Sequence, residues 1–257
     1  MRLLILGGTT EASTLARRLA GDDRFSPTLS LAGRTLSPAA QPVPCRIGGF
    51  GGADGMARWM RGEGIEVLVD ATHAFSTRIS ENAVAAAKAA GVPLLSLVRP
   101  AWARGAGDLW IDADSLGDAA LALGEMPRRV LLTIGRQEVA AFKAEPQHRY
   151  LIRSIEPPEP GDLPPDTKIL LQRGPFSQDD EVALFRREGV ETIVSKNAGG
   201  TATAAKLAAA RTLGLPVVMI ARPDKPAGYL VETVDAAADW LEAKISGHLA
   251  APSERGV

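Results

Sequence analysis

Residues 2–12 of the chain read RLLILGGTTEA, and this stretch decides the class of fold. Apolar residues that can form a buried strand run directly into two glycines, and the residues after them can start a helix. Such a turn lets a phosphate approach the backbone at the positive end of the helix dipole. The spacing is not the GxGxxG fingerprint, and a tight turn with Thr9 or Thr10 as helix cap would use the same residues. We favour phosphate binding at Gly7, Gly8 and Thr9, because the turn follows the first strand.

Short apolar runs alternate with alanine-rich helical segments along the rest of the chain. This alternation is typical of parallel sheets that are covered by helices on both faces, and it predicts an α/β fold. Beyond the first strand at residues 3–6, strands are predicted at residues 28–32, 43–47, 67–70, 94–98, 130–134, 169–172, 192–195 and 217–221. Helices are predicted at residues 11–20, 79–90, 180–188, 203–213 and 234–245.

An internal repeat supports two related halves. GIEVLV at residues 64–69 resembles GVETIV at 189–194, and GVPLL at 91–95 resembles GLPVV at 214–218. Any two βαβ units share such features, but both copies end on Arg-Pro, which favours a repeated architecture. A chain of 257 residues suits two small domains. We therefore predict a first domain at residues 1–103 and a second at residues 104–250.

Composition limits the partners of the chain. Its 29 basic and 30 acidic side chains give a net charge of -1, so an anionic ligand must be held by local clusters and nucleic acid is not expected. Cys45 is the single cysteine, and His73, His148 and His248 show no metal-ligand spacing, so no metal site is expected. No stretch approaches the ~20 apolar residues of a membrane helix, and the first apolar run is too short for a secretory signal. We expect a soluble, cytoplasmic protein.

The first half offers further cofactor candidates. After the second strand, Arg34 and Thr35 occupy the place where an NAD-binding fold carries a carboxylate, and a guanidinium there suits the 2′-phosphate of NADP. An exposed loop arginine is the alternative. The GGFGG run at residues 48–52, which includes Gly49 and Gly51, indicates a backbone that passes close to a cofactor or to a neighbouring strand.

Polar residues at predicted strand ends are the substrate candidates. Thr72 and His73 follow one strand, and the histidine could donate to a substrate carboxylate, transfer a proton, or bond only local backbone. In the second half, Arg136, Arg173 and Lys196 each stand at a strand end and could converge on one anionic ligand, although solvated surface charge would explain any one of them. The carboxylates at residues 179–181 could equally be ordinary charge at a helix N-terminus.

Taken in order, these motifs resemble those of the precorrin-6A reductase family, from residue 3 to about residue 223. The chain departs from the family pattern at Ala74, where the family often has proline, and at residues 197–200, where a serine-glycine pair often follows the lysine. The motifs that carry the resemblance are GGTTEA (7–12), AGRT (32–35), GGFGG (48–52), DATHAF (70–75), VRPAW (98–102), TIGR (133–136), RGPF (173–176), SKNAGG (195–200) and ARP (221–223).

The resemblance implies two Rossmann-like three-layer α/β domains with parallel sheets and an interdomain cleft. NADPH would lie across the strand ends of the first domain, and the substrate would be precorrin-6A, a tetrapyrrole that is reduced to precorrin-6B by hydride transfer plus protonation in cobalamin biosynthesis. The residues implied for the cofactor are Gly7, Gly8, Thr9, Glu11, Arg34, Thr35, Gly49, Gly51, His73 and Arg99. Those implied for the substrate are Thr72, His73, Arg136, Arg173, Lys196, Asn197 and Thr201.

Asp180 and Lys196 are the candidates for proton delivery, with solvent as their competitor. Three other functions remain open: reduction of the cobalt-bound substrate in the anaerobic route, reduction of an unrelated small substrate with NADP, and non-catalytic sensing of NADP. We favour the metal-free substrate. Neighbouring enzymes of the pathway are candidate partners.

Overall fold

The computed structural model describes residues 1–33 and 40–247, and the chain divides into two compact units. Unit 1 contains Met1–Pro100 together with the described part of the chain from Pro223 onward. Unit 2 is Ala101–Arg222.

The strands, in chain order, are β1 (Arg2–Leu6), β2 (Ser26–Leu31), β3 (Cys45–Ile47), β4 (Val67–Asp70), β5 (Leu94–Leu97), β6 (Leu109–Ala113), β7 (Arg129–Thr133), β8 (Arg149–Ser154), β9 (Thr167–Leu171), β10 (Thr192–Lys196), β11 (Pro216–Ile220) and β12 (Tyr229–Val231). The α-helices are α1 (Thr10–Leu19), α2 (Gly52–Gly62), α3 (Thr77–Ala90), α4 (Leu116–Leu121), α5 (Gln178–Glu188), α6 (Ala205–Leu213) and α7 (Val234–Ile245). Short 3₁₀ helices lie at Val139–Ala144 and Pro160–Asp162.

Unit 1 is built on a six-stranded sheet in the order β12-β5-β4-β1-β2-β3, and all of its paired strands are parallel. Alternate residues of a strand point to opposite faces of a sheet, and both faces are buried here. Leu3 and Ile5 face a core that also contains Leu15 of α1 and Leu241 of α7. On the other face, Leu4, Leu6 and Leu68 meet Met56 and Met60 of α2 and the alanines of α3. The result is a three-layer Rossmann-like unit.

Unit 2 repeats this arrangement with a parallel sheet in the order β6-β11-β10-β7-β8-β9. Leu131 and Ile193 of its sheet pack with Phe185 of α5 and Leu207 of α6 on one face. On the other face lie α4 and the first 3₁₀ helix. The first strand of the repeat has equivalent neighbours in the two units. In unit 1, β1 lies between β2 and β4, and in unit 2, β7 lies between β8 and β10. The predicted α/β architecture of two parallel-sheet units is confirmed.

The repeat extends to single hydrogen bonds at the amino ends of the strands. In unit 1 the Arg2 guanidinium donates to the Glu63 carbonyl at 2.9 Å, and the Arg2 backbone N–H donates to the Glu66 carboxylate at 2.6 Å. In unit 2 the Arg129 guanidinium and backbone N–H donate in the same way to the carbonyl of Glu188 and the carboxylate of Glu191, at 3.0 and 2.8 Å. These bonds join the first strand of each repeat, β1 or β7, to the turn that precedes its fourth strand, β4 or β10.

The sixth strand of each sheet comes from outside the repeat, and this changes the predicted domain limits. β6 precedes β7 in sequence and pairs with β11, whereas β12 follows unit 2 in sequence and pairs with β5 of unit 1. The boundary predicted after residue 103 lies between Pro100 and Ala101, and residues 223–247, which were predicted in the second domain, belong to unit 1. Residues 223–247 belong to unit 1 because α7 is buried there, where its Trp240 and Leu241 complete the core around α1.

Three strands and two helices were not predicted. β8 carries Arg149 and Arg153, which interrupt the apolar pattern, and Arg153 is buried only because it forms an ion pair with Glu181. β6 and β12 are short edge strands with exposed apolar residues, so they lack the signature of a buried strand. Helix α2 contains three glycines, which disfavour helix, but Met56 and Met60 anchor it in the core. Helix α4 has only six residues.

Candidate functional site

The first strand of unit 1 ends at a topological switch point. β1 lies between β2 and β4, so the connections that leave its carboxyl end and that of β4 run to opposite sides of the sheet. Ligands of open α/β sheets bind in the crevice at such a point. The predicted turn at Gly7, Gly8 and Thr9 lies there, with the turn after Asp70 beside it.

Glycine occupies positions 7 and 8 of this turn for different structural reasons. A Cβ on Gly7 would meet Leu29 Cδ1 of β2 at 2.7 Å, so a side chain at this position would require the buried Leu29 side chain to move. Gly8 has φ +108°, and no atom lies within 4 Å of a Cβ placed on it. Space is therefore open above Gly8, and its backbone conformation is strained for any other residue. A ligand can approach the backbone at this point.

Thr9 is the helix cap that was the alternative interpretation of this turn. Its Oγ1 accepts from the backbone N–H of Ala12 at 3.1 Å and donates to the Ala71 carbonyl at 2.7 Å. The second bond joins the glycine turn to the turn that follows β4. Capping and an open approach to Gly8 coexist, so the two interpretations do not exclude each other.

A shallow depression at this edge brings together residues from three strand ends. Arg99, two residues beyond β5, forms an ion pair with Glu11 at 2.7 Å, and each side chain is about one-fifth exposed, 18% and 21%. His73 accepts from the Phe75 N–H through Nδ1 at 3.3 Å, which is the local backbone bond considered for it. The predicted residues that line the depression are Thr9, Glu11, Thr72, His73 and Arg99, with Ala74, Leu97 and Val98 beside them.

The glycine segment 48–52 is held by Arg46, which sequence reasoning did not select. The Arg46 guanidinium donates to the carbonyls of Gly48 and Gly49, both at 2.7 Å, and lies 3.7 Å from the centre of the Phe50 ring. Burial lowers the pKa of Arg46. Added Cβ atoms on Gly49 and Gly51 would meet nothing within 4 Å, so this segment is also open. The sequence feature that could have identified Arg46 is its position inside the short strand β3, directly before the glycines.

Two predicted cofactor residues, Arg34 and Thr35, lie outside the described residues. The remaining features of unit 1 fit a dinucleotide. An open glycine turn and a helix N-terminus lie at the switch point, and a second open glycine segment follows the neighbouring strand β3.

In unit 2 the predicted basic residues share one edge of the sheet, because its strands are parallel. Lys196 ends β10, Arg136 follows β7 and Arg173 follows β9. Two of these cations have internal partners: Arg136 forms an ion pair with Glu156 at 3.0 Å, and Lys196 pairs with Glu138. The Glu138 carboxylate also accepts from the Gly135 N–H at 2.9 Å. Glu138 and Glu156 were not predicted, since an isolated glutamate after a strand carries no distinctive signal.

Asp180, a candidate proton donor, is the third residue of α5 and is exposed. Its carboxylate accepts from the Ser177 hydroxyl at 2.6 Å, and its N–H donates to Ser177 Oγ at 3.1 Å. This reciprocal pairing caps the helix. Arg173, in the turn before α5, has an exposed side chain.

Asn197 and Thr201 follow β10, and the structure gives them different surroundings. The Asn197 amide accepts from the Trp102 N–H at 2.8 Å and donates to the Trp102 carbonyl at 3.0 Å. The Trp102 indole donates in turn to the Gly200 carbonyl at 2.8 Å. Asn197 therefore fixes the start of unit 2 against the β10 turn, whereas Thr201 is exposed on that turn.

In the described parts of the chain, no helix has the length and apolar character to cross a bilayer. The same residues contain no cluster of three or more histidine, cysteine or carboxylate side chains that could hold a metal ion.

The fold and the open glycine turn define a Rossmann-like α/β protein, a class in which dinucleotides bind at the switch point of a parallel sheet. The family model described as "Precorrin-6x reductase CbiJ/CobK" matches residues 2–242. The chain belongs to this family and is therefore an oxidoreductase.

Individual relatives agree with the family match. The precorrin-6A reductase of Sinorhizobium sp. is 52% identical over 93% of this chain and 94% of its own. That of Rhodobacter capsulatus is 48% identical, over 93% of this chain and 95% of its own. The solved structure titled "CobK precorrin-6A reductase" superimposes with a TM-score of 0.90 at 47% identity and covers both chains fully, 100% of each.

Proposed function

We propose that this protein is a precorrin-6A reductase that uses NADPH to reduce the tetrapyrrole macrocycle to precorrin-6B. The observation that carries the proposal is the open glycine turn at the switch point of unit 1, in a chain that belongs to a reductase family. The near-zero net charge supports a small molecule as the partner, and not nucleic acid or a membrane surface. A cytoplasmic location is part of the proposal.

Unit 1 is proposed to hold the cofactor. Gly7, Gly8 and Thr9 would lie under its phosphates, and Gly49 and Gly51 offer a second open backbone segment that Arg46 orients. The preference for NADPH over NADH is assigned to Arg34 and Thr35, on the chemistry of a guanidinium facing a 2′-phosphate. Glu11, His73 and Arg99 border the depression where the nicotinamide end would lie.

Unit 2 is proposed to bind the substrate carboxylates. Arg136, Arg173 and Lys196 share one sheet edge, and Asn197 and Thr201 follow the same strand as Lys196. Thr72 and His73 would contribute from unit 1. A macrocycle fringed with carboxylates accounts for cations at strand ends in a chain without a global positive field.

The reduced nicotinamide supplies the hydride when it is bound. The protein binds and orients the two reactants, which lowers the entropic part of the barrier. Lys196 can donate a proton from Nζ, and Asp180 from its carboxyl group when protonated. Solvent competes with both as the proton source.

The decisive experiment is an anaerobic assay of the purified protein with precorrin-6A or cobalt-precorrin-6A, each with NADPH or NADH. The near-ultraviolet band of the cofactor and the visible spectrum of the macrocycle are followed together. We expect NADPH consumption with a shift of the precorrin-6A spectrum, and poor activity with NADH. Faster turnover of the cobalt form would identify the anaerobic route, and NADPH binding without any spectral change would indicate either a different substrate or a sensor.

The Arg34→Ala variant tests the cofactor preference separately. We expect this substitution to weaken the binding of NADPH far more than the binding of NADH, because only NADPH carries the 2′-phosphate. Arg17→Ala, which removes an exposed arginine of α1, serves as the charge-matched control. Equal losses for the two nucleotides would refute the assignment of Arg34 to the 2′-phosphate.

A further inference from the structure

A buried ion pair bonds to Thr72, which lines the depression of unit 1, and neither member of the pair was among the predicted site residues. Asp70 ends β4 and Lys225 belongs to the segment that returns from unit 2, and their side chains are 1% and 6% exposed. The Lys225 ammonium lies 3.3 Å from Asp70 Oδ2. Burial of two charges opposes folding unless further hydrogen bonds satisfy them, so the surroundings of this pair decide its role.

Those further bonds converge on Thr72. Lys225 Nζ donates to Thr72 Oγ1 at 3.0 Å and to the Thr72 carbonyl at 3.3 Å. Asp70 Oδ1 accepts from the Thr72 hydroxyl at 2.6 Å and from its N–H at 3.0 Å, and Asp70 Oδ2 accepts from Ser80 at 2.5 Å. The donor and acceptor atoms of Thr72 are therefore held by the pair, and Thr72 cannot rotate without breaking it.

We infer that Lys225 is a positioning residue that fixes the Thr72–His73 turn beside the glycine turn, so that the cofactor site of unit 1 is completed only by the returning chain. Thr72 and His73 line the same depression as Thr9, and Thr9 donates to the carbonyl of Ala71. The returning segment is fastened a second time where the Gly228 N–H donates to Ser96 Oγ of β5 at 2.9 Å. This inference rests on the proposed function, since it concerns the same cofactor site.

The test separates positioning from stability with two variants. Lys225→Met alone leaves the Asp70 charge buried without its cation and should lower the melting temperature strongly. The double variant Asp70→Asn/Lys225→Met removes both charges and should recover most of that loss. If Lys225 positions the turn, NADPH affinity of the double variant stays about tenfold weaker, about 1.4 kcal/mol, although its melting temperature is near that of the wild type.

The chain supplies a matched control in unit 2. Arg153 and Glu181 form a second buried ion pair, with side chains 5% and 2% exposed, and both belong to unit 2, whereas the glycine turn belongs to unit 1. Arg153→Met/Glu181→Gln should alter stability to a similar extent and leave the Kd for NADPH within about twofold. NADPH affinity is measured directly by fluorescence titration, without substrate.

The outcomes are distinct. Wild-type NADPH affinity in the Asp70→Asn/Lys225→Met protein would overturn the inference and leave Lys225 a structural residue. Equal losses of NADPH affinity in the double variants of both units would also overturn it. If the wild-type protein itself binds no NADPH, the proposed function fails, and that result is separate from the comparison of variants.

Discussion

Gly8 is the residue whose backbone most directly links the fold to the proposed cofactor. At φ +108° an alanine is strained, and its Cβ would enter the open space above the turn. We expect Gly8→Ala to raise the Kd for NADPH by about tenfold or more, measured by fluorescence titration.

Gly21 supplies the control for this change. It has φ +81°, and a Cβ there also meets nothing within 4 Å, but it follows α1 at the other edge of the sheet. Gly21→Ala should therefore cost similar stability, about 1 kcal/mol, without changing NADPH affinity. If both variants weaken NADPH binding equally, the effect of Gly8→Ala on affinity comes from lost stability and not from a contact with the cofactor.

Asp180 can be tested against a residue with the same local structure. If it delivers the proton, Asp180→Asn slows turnover without harming NADPH binding, measured as kcat in the anaerobic assay. Asp118 forms the same pair of bonds with Ser115 at the start of α4, at 2.7 and 3.1 Å. Asp118→Asn thus controls for the lost helix cap, and equal kcat values in the two variants would exclude Asp180 and leave Lys196 or solvent as the proton source.

His148 introduces an acid-dependent loss of stability. Its ring is fully buried, and this burial lowers its pKa below the ordinary value near 6.5. As pH falls through about 6.5 the unfolded chain binds a proton that the native ring does not, so the free energy of unfolding decreases. Urea unfolding at pH 8, 6.5 and 5.5 should show this decrease, and His148→Phe should make the slope shallower. An unchanged slope would contradict a neutral native ring.

At the scale of elements, the repeated arginine bonds indicate that both units join the first and fourth strands of the repeat, β1 to β4 and β7 to β10, in the same way. Arg2→Ala and Arg129→Ala each remove a guanidinium–carbonyl bond, and each should destabilise its unit by about 1 kcal/mol in urea unfolding. Arg17→Ala, on the exposed face of α1, should stay within about 0.5 kcal/mol of the wild type. A large difference between the free energies of unfolding of Arg2→Ala and Arg129→Ala would show that the two bonds share a geometry but do not contribute equally to stability.

Element prediction succeeded where burial on both faces leaves an apolar strand of four or more residues. β1, β4, β7, β10 and β11 are such strands, and each of them has a neighbouring strand on both sides. β8 was missed because Arg153 is compensated by Glu181, a partner 28 residues away. Helix α2 was missed because its packing against α3 outweighs its glycines, and local propensity carries no information about such contacts.

At the scale of the molecule, the division of the chain into two units predicts which peptides gain hydrogen-exchange protection together when the cofactor binds. Ligand at 100 times its Kd stabilises the unit that binds it by about 2.7 kcal/mol. In hydrogen exchange with NADPH alone, peptides from residues 1–100 and from residues 223–247 should gain protection together. If peptides from residues 223–247 instead exchange like those from residues 101–222 and do not respond to NADPH, the assignment of α7 and β12 to unit 1 is wrong.

The sequence by itself determined the α/β class, the repeated halves and the position of the glycine turn after the first strand. Those features depend on local patterns, namely apolar runs, helix caps and glycines, which need only near neighbours in the chain. Only the tertiary structure decided that the chain returns to unit 1, that Glu138 and Glu156 pair with Lys196 and Arg136, and that Lys225 holds Thr72. Each of these joins parts of the chain that are distant in sequence, and the partners are selected by burial and charge compensation, which act through space and not along the sequence.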